Sequence, residues 1–224
     1  MYYRENTSSY SATTAVSQSF AWMFGGLLLT GLASLTVAGN SSLAELILGN
    51  SMVFFGLIIA ELALVFFLSL RVQKMSFNTA LGSFLLYSIL NGLTLAAIFL
   101  IYTASSIAAS FFIAAGVFGI MAFYGYTTKK DLTTIGNLAF MALIGVILAS
   151  VVNLFLKSSG LSYIVSYLTI IIFVGLTAYD TQKIKRMAES GASSNVGVLG
   201  ALALYLDFIN IFLSLLRIFG NRRD

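Results

Sequence analysis

Apolar stretches of about twenty residues recur along nearly the whole chain and are joined by short polar connections. About 20 apolar residues are needed for a helix to cross the hydrocarbon core of a bilayer. The runs are continuous and lack two-residue alternation, which favours helices over a membrane β-barrel. The pattern therefore predicts an all-α polytopic membrane protein with seven transmembrane helices. The predicted segments are 20–38, 51–70, 81–102, 106–126, 135–156, 163–180 and 196–219.

The first nineteen residues differ from the rest, because they are rich in Ser, Thr and Tyr and show no apolar periodicity. Such a composition is typical of a flexible segment. We expect a flexible N-terminal tail over 1–19 and one seven-helix domain over 20–224, with no soluble domain that could carry a separate activity.

The composition excludes several kinds of chemistry. The chain has 224 residues, of which 59% are apolar and 9% charged, and it contains neither cysteine nor histidine. Thiol nucleophiles, cysteine-ligated zinc, histidine-ligated metals and Ser-His triads are therefore excluded. A pH response near neutrality would have to come from a carboxylate or amine in an unusual environment.

The basic residues lie mostly at the ends of the segments, so the net charge of +4 indicates membrane topology rather than nucleic-acid binding. With the N-terminus in the cytoplasm, the basic residues on that side are Arg4, Arg71, Lys74, Lys129, Lys130, Lys183, Lys185 and Arg186. Those outside are Lys157, Arg217, Arg222 and Arg223. The positive-inside rule favours this orientation. A re-entrant last segment would place both termini inside, but 196–219 is long enough to cross.

Asp207 lies in the middle of the last apolar segment. A charge at this depth costs from about 3 to more than 10 kcal/mol, so acids there are rare and usually functional. At helical spacing, small and polar residues share its face, which predicts a protein interior or a water path. These residues are Gly200, Ala203, Asp207, Asn210, Ser214 and Arg217.

Two further acids lie within apolar segments: Glu61 near the centre of the second and Asp180 at the cytoplasmic end of the sixth. Asp180 could equally be an ordinary interfacial residue, and Asp207 could make a structural hydrogen bond to Asn91 or Asn153. For Glu61, functional and structural interpretations are equally open.

A second polar stripe on the third segment favours contact between helices over the lining of a pore. It consists of Ser83, Tyr87, Asn91 and Thr94. The small residues Gly116, Gly119, Ala122 and Gly125 likewise predict close helix contact.

Two C-terminal segments resemble the signatures of the Bax inhibitor-1-like family, and the resemblance extends in coarse form over the whole chain. The segments are Ala178-Tyr179-Asp180-Thr181-Gln182-Lys183-Ile184 and Leu204-Tyr205-Leu206-Asp207-Phe208-Ile209-Asn210-Ile211-Phe212, followed by Leu215-Leu216-Arg217. The resemblance, of a bacterial type, implies a protein of the bacterial plasma membrane in which six helices surround a central seventh. It also implies a pH-sensitive calcium leak controlled by a pair of aspartates, Asp180 and Asp207, with Arg71 as a basic latch.

Electrostatics supports such a pair independently. Two carboxylates about 4 Å apart at an effective dielectric constant near 20 repel by about 4 kcal/mol. Together with desolvation, this repulsion favours one shared proton near neutral pH. The sequence leaves their contact open, because Asp207 lies near mid-membrane and Asp180 near the inner end.

We expect calcium to be the transported ion, held weakly by Asp180 and Asp207. Calcium takes about six to eight oxygen ligands, and a leak requires weak binding. The candidate ion path adds Glu61, Asn91, Asn210 and Ser214. Calcium ions, protons and the lipid bilayer are the expected partners; no cofactor or nucleic acid is expected, and the oligomeric state stays open.

Three other functions compete with the leak channel. An interaction or regulatory protein of the membrane without transport fits the same pattern. An intramembrane aspartyl protease also uses two aspartates, but Leu204-Tyr205-Leu206 precedes Asp207 in place of a glycine-containing motif, and the chain has no proline. A retinal protein would need a lysine in the seventh helix. We therefore expect no enzymatic activity.

Overall fold

The computed structural model describes residues 2–191 and 195–223, with side chains from residue 12 onward. Within this part the chain forms eight α-helices and no strand, apart from an isolated bridge between Tyr102 and Arg222. The helices are α1 (Tyr2–Ala38), α2 (Ser41–Ala44), α3 (Ser51–Arg71), α4 (Phe77–Ile101), α5 (Ala104–Thr127), α6 (Thr133–Leu156), α7 (Ser159–Glu189) and α8 (Val196–Phe219). A π-helical turn, Glu45–Gly49, follows α2, and a 3₁₀ turn, Val72–Lys74, follows α3.

Seven of the described helices, all except α2, are long and apolar enough to cross a membrane. This confirms the predicted all-α fold with seven transmembrane helices.

Side-chain caps set some of the helix ends. The Asn50 side chain accepts hydrogen bonds from the backbone N–H groups of Met52 and Val53 and so begins α3. Ser76 accepts one from Thr79 N at 3.2 Å. Capping satisfies N–H groups that the first helical turn leaves free, and here it begins α4 four residues before the apolar run.

The N-terminal segment differs from the expectation of a tail, because α1 begins at Tyr2. From residue 12 onward, Ala12, Val16, Ser19 and Met23 are buried at intervals of three and four residues. Two members of this stripe are small or polar, so hydropathy alone does not reveal its helical period.

Helix α7 also differs from its prediction, because it continues to Glu189, nine residues beyond Asp180. Charged and polar residues predominate in these last turns. A hydropathy boundary marks where the apolar surface ends, whereas the backbone hydrogen bonds continue the helix past it.

The chain divides into two compact units. The first comprises Met1–Thr103, Arg186–Tyr205 and Arg222–Asp224. In this unit α1 lies against α4, where glycines permit a close approach: a Cβ added at Gly92 would lie 2.6 Å from the Thr30 carbonyl oxygen. The Ser34 hydroxyl donates to the Gly92 carbonyl oxygen at 2.7 Å and stabilises the contact.

The second unit comprises Ala104–Lys185 and Leu206–Asn221. Here aromatic rings pack the C-terminal half of α8 against α5. The Phe208 ring meets those of Phe111 and Phe118 edge to face, with centroids 5.2 and 5.7 Å apart. Such contacts bury large apolar surfaces and fix the rotation of a helix about its axis.

Helix α8 is the most buried of the candidate spans: 72% of its most apolar stretch is buried, against 11% for α3 and for α6. The acid that it carries therefore lies in a protein environment.

Candidate functional site

Asp207 is 2% exposed, in the middle of α8. Its Oδ2 atom has no hydrogen-bond partner among the described residues. A buried carboxylate oxygen without a partner is costly, and natural proteins satisfy most such atoms. This carboxyl is therefore suited to holding a proton or contacting a cation.

Asp180 lies on α7 in the same unit, half-buried, and acts electrostatically on Asp207. Lys183, one turn later on α7, acts electrostatically on Asp180 in turn. Asp180 lies nine residues before the end of α7, and Asp207 lies eleven residues after the start of α8. At about 1.5 Å per residue these axial distances are about 14 and about 17 Å. Asp180 therefore lies more than two turns before the end of α7 and not at the end of its helix.

The residues before Asp180 bring α7 close to its neighbours. The Ala178 backbone lies so close to Gly125 of α5 that a Cβ there would overlap the Ala178 carbonyl group. The Tyr179 ring covers Gly136 of α6, where a Cβ would lie 2.5 Å from the ring. Two glycines therefore determine how closely α5 and α6 approach the helix that carries Asp180.

The residues after Asp180 bind the connection between α5 and α6. The Gln182 side chain accepts a hydrogen bond from Leu132 N at 3.0 Å and donates one to the Lys130 carbonyl oxygen at 2.8 Å. Lys185 donates to the Tyr126 carbonyl oxygen at 3.2 Å. Asp180 thus sits on a helix that is anchored on both sides.

The predicted polar face of α8 is packed inside the protein over most of its length, and Gly200 at its start is buried. Asp207 and Ser214 are buried, whereas Ala203 and Asn210 are half-buried and Arg217 is exposed. Asn210 donates to the Leu206 carbonyl oxygen of its own helix at 2.8 Å. Apolar residues of α8 are also buried on its other sides. The polar stripe is therefore only one of several packed faces of this helix.

Glu61 forms a second polar cluster, in the first unit. The Asn91 amide nitrogen donates to Glu61 Oε2 at 3.1 Å, and the Thr94 hydroxyl donates to Oε1 at 2.9 Å. The structure thus brings together Glu61 and Asn91, two of the residues predicted to line an ion path.

Tyr205 and Thr30 belong to the same network, although neither is predicted as a site residue from the sequence. The Tyr205 hydroxyl donates to Asn91 Oδ1 at 3.0 Å and lies 2.6 Å from Thr30 Oγ1. Tyr205 is 0% exposed. The signal available in the sequence was a tyrosine two residues before Asp207, because a buried tyrosine hydroxyl usually needs a hydrogen-bond partner.

The other predicted residues lie elsewhere. Arg71 is the exposed last residue of α3, in the first unit, whereas Asp180 belongs to the second. Asn153 donates to the Ser162 hydroxyl at 2.7 Å and accepts from Ser158 N at 3.0 Å. Gly116 and Gly119 would each accept a Cβ without contact, so of the glycines expected at a close helix contact on α5, Gly125 alone has one.

The described residues contain no group of three or more His, Cys, Asp or Glu side chains that could hold a metal ion. Two carboxylates provide only part of the oxygen set that calcium prefers. The acid pair is therefore suited to transient contact with a cation rather than to tight binding.

Comparison with known proteins agrees with the signatures on α7 and α8. The family described as "Inhibitor of apoptosis-promoting Bax1" matches residues 13–224. The inner membrane protein YbhL of Escherichia coli K12 is 54% identical over 216 residues, covering 94% of this chain and 92% of its own. An uncharacterized protein of Borreliella burgdorferi is 44% identical over 93% of this chain and 92% of its own. The protein RP147 of Rickettsia prowazekii is 44% identical over 92% and 88%. With seven apolar helices and these relatives, the chain belongs to the Bax inhibitor-1-like family of integral membrane proteins.

Proposed function

We propose that this protein is a pH-sensitive calcium leak of the bacterial plasma membrane, closed while Asp180 and Asp207 share a proton. The observation that carries the proposal is the buried Asp207 carboxyl, whose Oδ2 atom lacks a described hydrogen-bond partner and which interacts electrostatically with Asp180. The family match covers residues 13–224 and so includes both aspartates.

The shared proton allows one carboxyl to donate a hydrogen bond to the other and holds α7 against α8. When the proton leaves, two like charges remain; at about 4 Å and an effective dielectric constant near 20 they repel by about 4 kcal/mol. This energy is sufficient to shift a two-state equilibrium by about a thousandfold. The separated oxygens then contact Ca²⁺ weakly, which allows the ion to leave again.

Arg71 completes the proposal as a basic latch that stabilises the closed state by pairing with ionised Asp180. Its exposed side chain at the end of α3 is free of the constraints of a packed core. The proposed orientation places the N-terminus in the cytoplasm, and α8 is proposed as the central helix.

Calcium flux into dye-loaded liposomes containing the purified protein tests the proposal between about pH 6 and 8. We expect flux to exceed that of protein-free liposomes and to rise with pH, because the pair loses its proton as pH rises. Asp180→Asn and Asp207→Asn should each abolish the pH dependence, and the flux of the double variant should be as independent of pH as that of either one, since the two residues titrate as a unit. Arg71→Ala should raise the basal flux.

Glu189→Gln is the matched control, because Glu189 is an exposed acid at the end of the same helix as Asp180. It should retain the wild-type profile. Flux equal to that of protein-free liposomes at every pH would replace the leak with a membrane interaction or regulatory role. A pH profile that survives in both single variants would remove the aspartate pair from the mechanism, and unchanged flux in a folded Arg71→Ala variant would remove the latch.

A further inference from the structure

Four side chains from four helices form one hydrogen-bonded chain inside the first unit: Glu61 of α3, Asn91 of α4, Tyr205 of α8 and Thr30 of α1. The successive heavy-atom distances are 3.1 Å from Glu61 Oε2 to Asn91 Nδ2, 3.0 Å from Asn91 Oδ1 to the Tyr205 hydroxyl, and 2.6 Å from that hydroxyl to Thr30 Oγ1. The bonded residues are separated in sequence by between 30 and 175 positions. The network therefore links four helices, of which only α3 and α4 are consecutive.

With Glu61 ionised, each hydrogen bond in this network is donated in the direction of the carboxylate. An ionised carboxylate only accepts hydrogen bonds, so the amide nitrogen of Asn91 donates to it and the amide oxygen accepts from Tyr205. The Tyr205 oxygen then accepts from the Thr30 hydroxyl. Each hydroxyl has a single proton, and this arrangement uses each of them once.

With Glu61 protonated, the same atoms support the opposite direction. The carboxyl O–H donates to the Asn91 amide oxygen after the amide turns by about 180°, because the two ends of an amide differ in donor and acceptor character. The amide nitrogen then donates to Tyr205, and Tyr205 donates to Thr30. The Thr30 hydroxyl can pass its proton to the carbonyl oxygen of Ser88 or of Gly26, which lie 2.8 and 2.9 Å away.

Burial makes the intermediate arrangements costly. Tyr205 and Ser88 are 0% exposed and Thr30 is 5% exposed, so bulk water cannot replace a lost partner. The Tyr205 ring is held edge to face between Phe84 and Tyr87, with centroids 5.8 and 5.7 Å away, which fixes its hydroxyl in place. Glu61 and Asn91, at the other end of the network, are half-buried. Because the Tyr205 hydroxyl has one proton, reversal of its bond with Thr30 requires its bond with Asn91 to reverse as well.

Among the described residues, the titratable groups that act electrostatically with Glu61 are Tyr87 of α4 and Tyr205 of α8. Tyrosine hydroxyls keep their protons near neutral pH, so within this network the carboxyl of Glu61 is the group that changes charge. From this geometry we propose that Glu61 is a proton-binding site separate from the aspartate pair, and that its protonation state reaches α8 by reversal of the hydrogen bonds through Asn91 and Tyr205. The proposal does not depend on calcium transport.

Nuclear magnetic resonance of the full-length protein in lipid nanodiscs tests this directly, without calcium. Tyrosines carry ¹³C at the ring carbon bonded to oxygen, whose chemical shift differs between a donating and an accepting hydroxyl. The Tyr205 resonance is assigned by its loss in Tyr205→Phe. We expect it to shift with pH in the wild-type protein and to become independent of pH in Glu61→Gln, which keeps the shape and cannot ionise.

Asn91→Leu separates a relay from a direct effect of charge. Glu61 should still titrate in this variant, as shown by its protonated-carboxyl infrared band, whereas the Tyr205 resonance should no longer follow. Glu45→Gln is the matched control, since it removes an acid of the same unit outside the network, and it should leave the Tyr205 shift unchanged.

Either variant, checked for folding by its thermal unfolding, is sufficient if the other does not fold. A wild-type Tyr205 resonance that is constant with pH would overturn the proposal. So would a pH-dependent shift that persists in folded Glu61→Gln or in folded Asn91→Leu.

Discussion

At the scale of single residues, Asn195 shows how one buried amide connects two distant turns. Its Nδ2 atom donates to the carbonyl oxygens of Val72 and Met75, both at 2.7 Å, and the residue is 2% exposed. Asn195 directly precedes α8, which begins at Val196. The amide thus ties the start of the acid-bearing helix to the turn that follows Arg71.

Asn195→Ala removes both hydrogen bonds. The Met75 carbonyl oxygen loses this donor, whereas the Val72 carbonyl oxygen keeps the bond from Met75 N at 3.3 Å. We expect the free energy of unfolding to fall by about 1 to 3 kcal/mol, the usual cost of an unsatisfied buried polar group. Chemical unfolding in detergent micelles measures the change. Asn78→Ala serves as control, because Asn78 is exposed on α4, and its effect should stay within about 0.5 kcal/mol. Equal effects of the two variants would contradict this role of Asn195.

At the scale of helices, contacts at glycines determine how α7 packs. Gly125 of α5 lies against the Ala178 backbone, whereas a Cβ added at Gly116 of the same helix would meet no atom within 4 Å. Both glycines therefore lie within α5, but only Gly125 is in close contact with another helix.

Gly125→Ala should destabilise the protein by about 1 to 3 kcal/mol, because the added methyl group forces α5 and α7 apart. Gly116→Ala should be neutral or stabilise by up to about 1 kcal/mol, since alanine favours a helix more than glycine. Thermal unfolding of both variants in the same detergent provides the comparison. A similar melting temperature for the two would show that the contact at Gly125 is easily relaxed.

At the scale of the whole molecule, the charges in the connections predict the orientation in the membrane. Lys129 and Lys130 lie between α5 and α6, whereas Lys157 lies between α6 and α7. The positive-inside rule places the first connection in the cytoplasm.

Single-cysteine labelling measures this orientation without background, because the chain has no cysteine. In intact cells, a membrane-impermeant maleimide should label Ser159→Cys at once, and Lys129→Cys only after permeabilisation. Both positions are exposed. The opposite pattern would invert the topology, and equal labelling at both positions would mean that α6 does not cross the membrane.

The sequence by itself determined the number and approximate limits of the transmembrane helices and the family of the protein. Both are local properties: crossing a bilayer depends on length and apolar content, and a signature is read from neighbouring residues. The helix limits in the structure differ from the predicted limits where polar side chains begin or continue a helix, as at Ser76 and beyond Asp180.

Only the tertiary structure decided which polar groups meet. Glu61 bonds Asn91 and Thr94, and Tyr205 bonds Asn91 and contacts Thr30, across sequence separations of up to 175 residues. Such contacts depend on the rotation and depth of each helix, which are constrained where helices approach closely, as α4 approaches α1 at Gly92. A hydropathy pattern specifies which segment crosses the membrane as a helix. Which helices lie next to it, and which of its atoms face them, follow from the packing of side chains between helices.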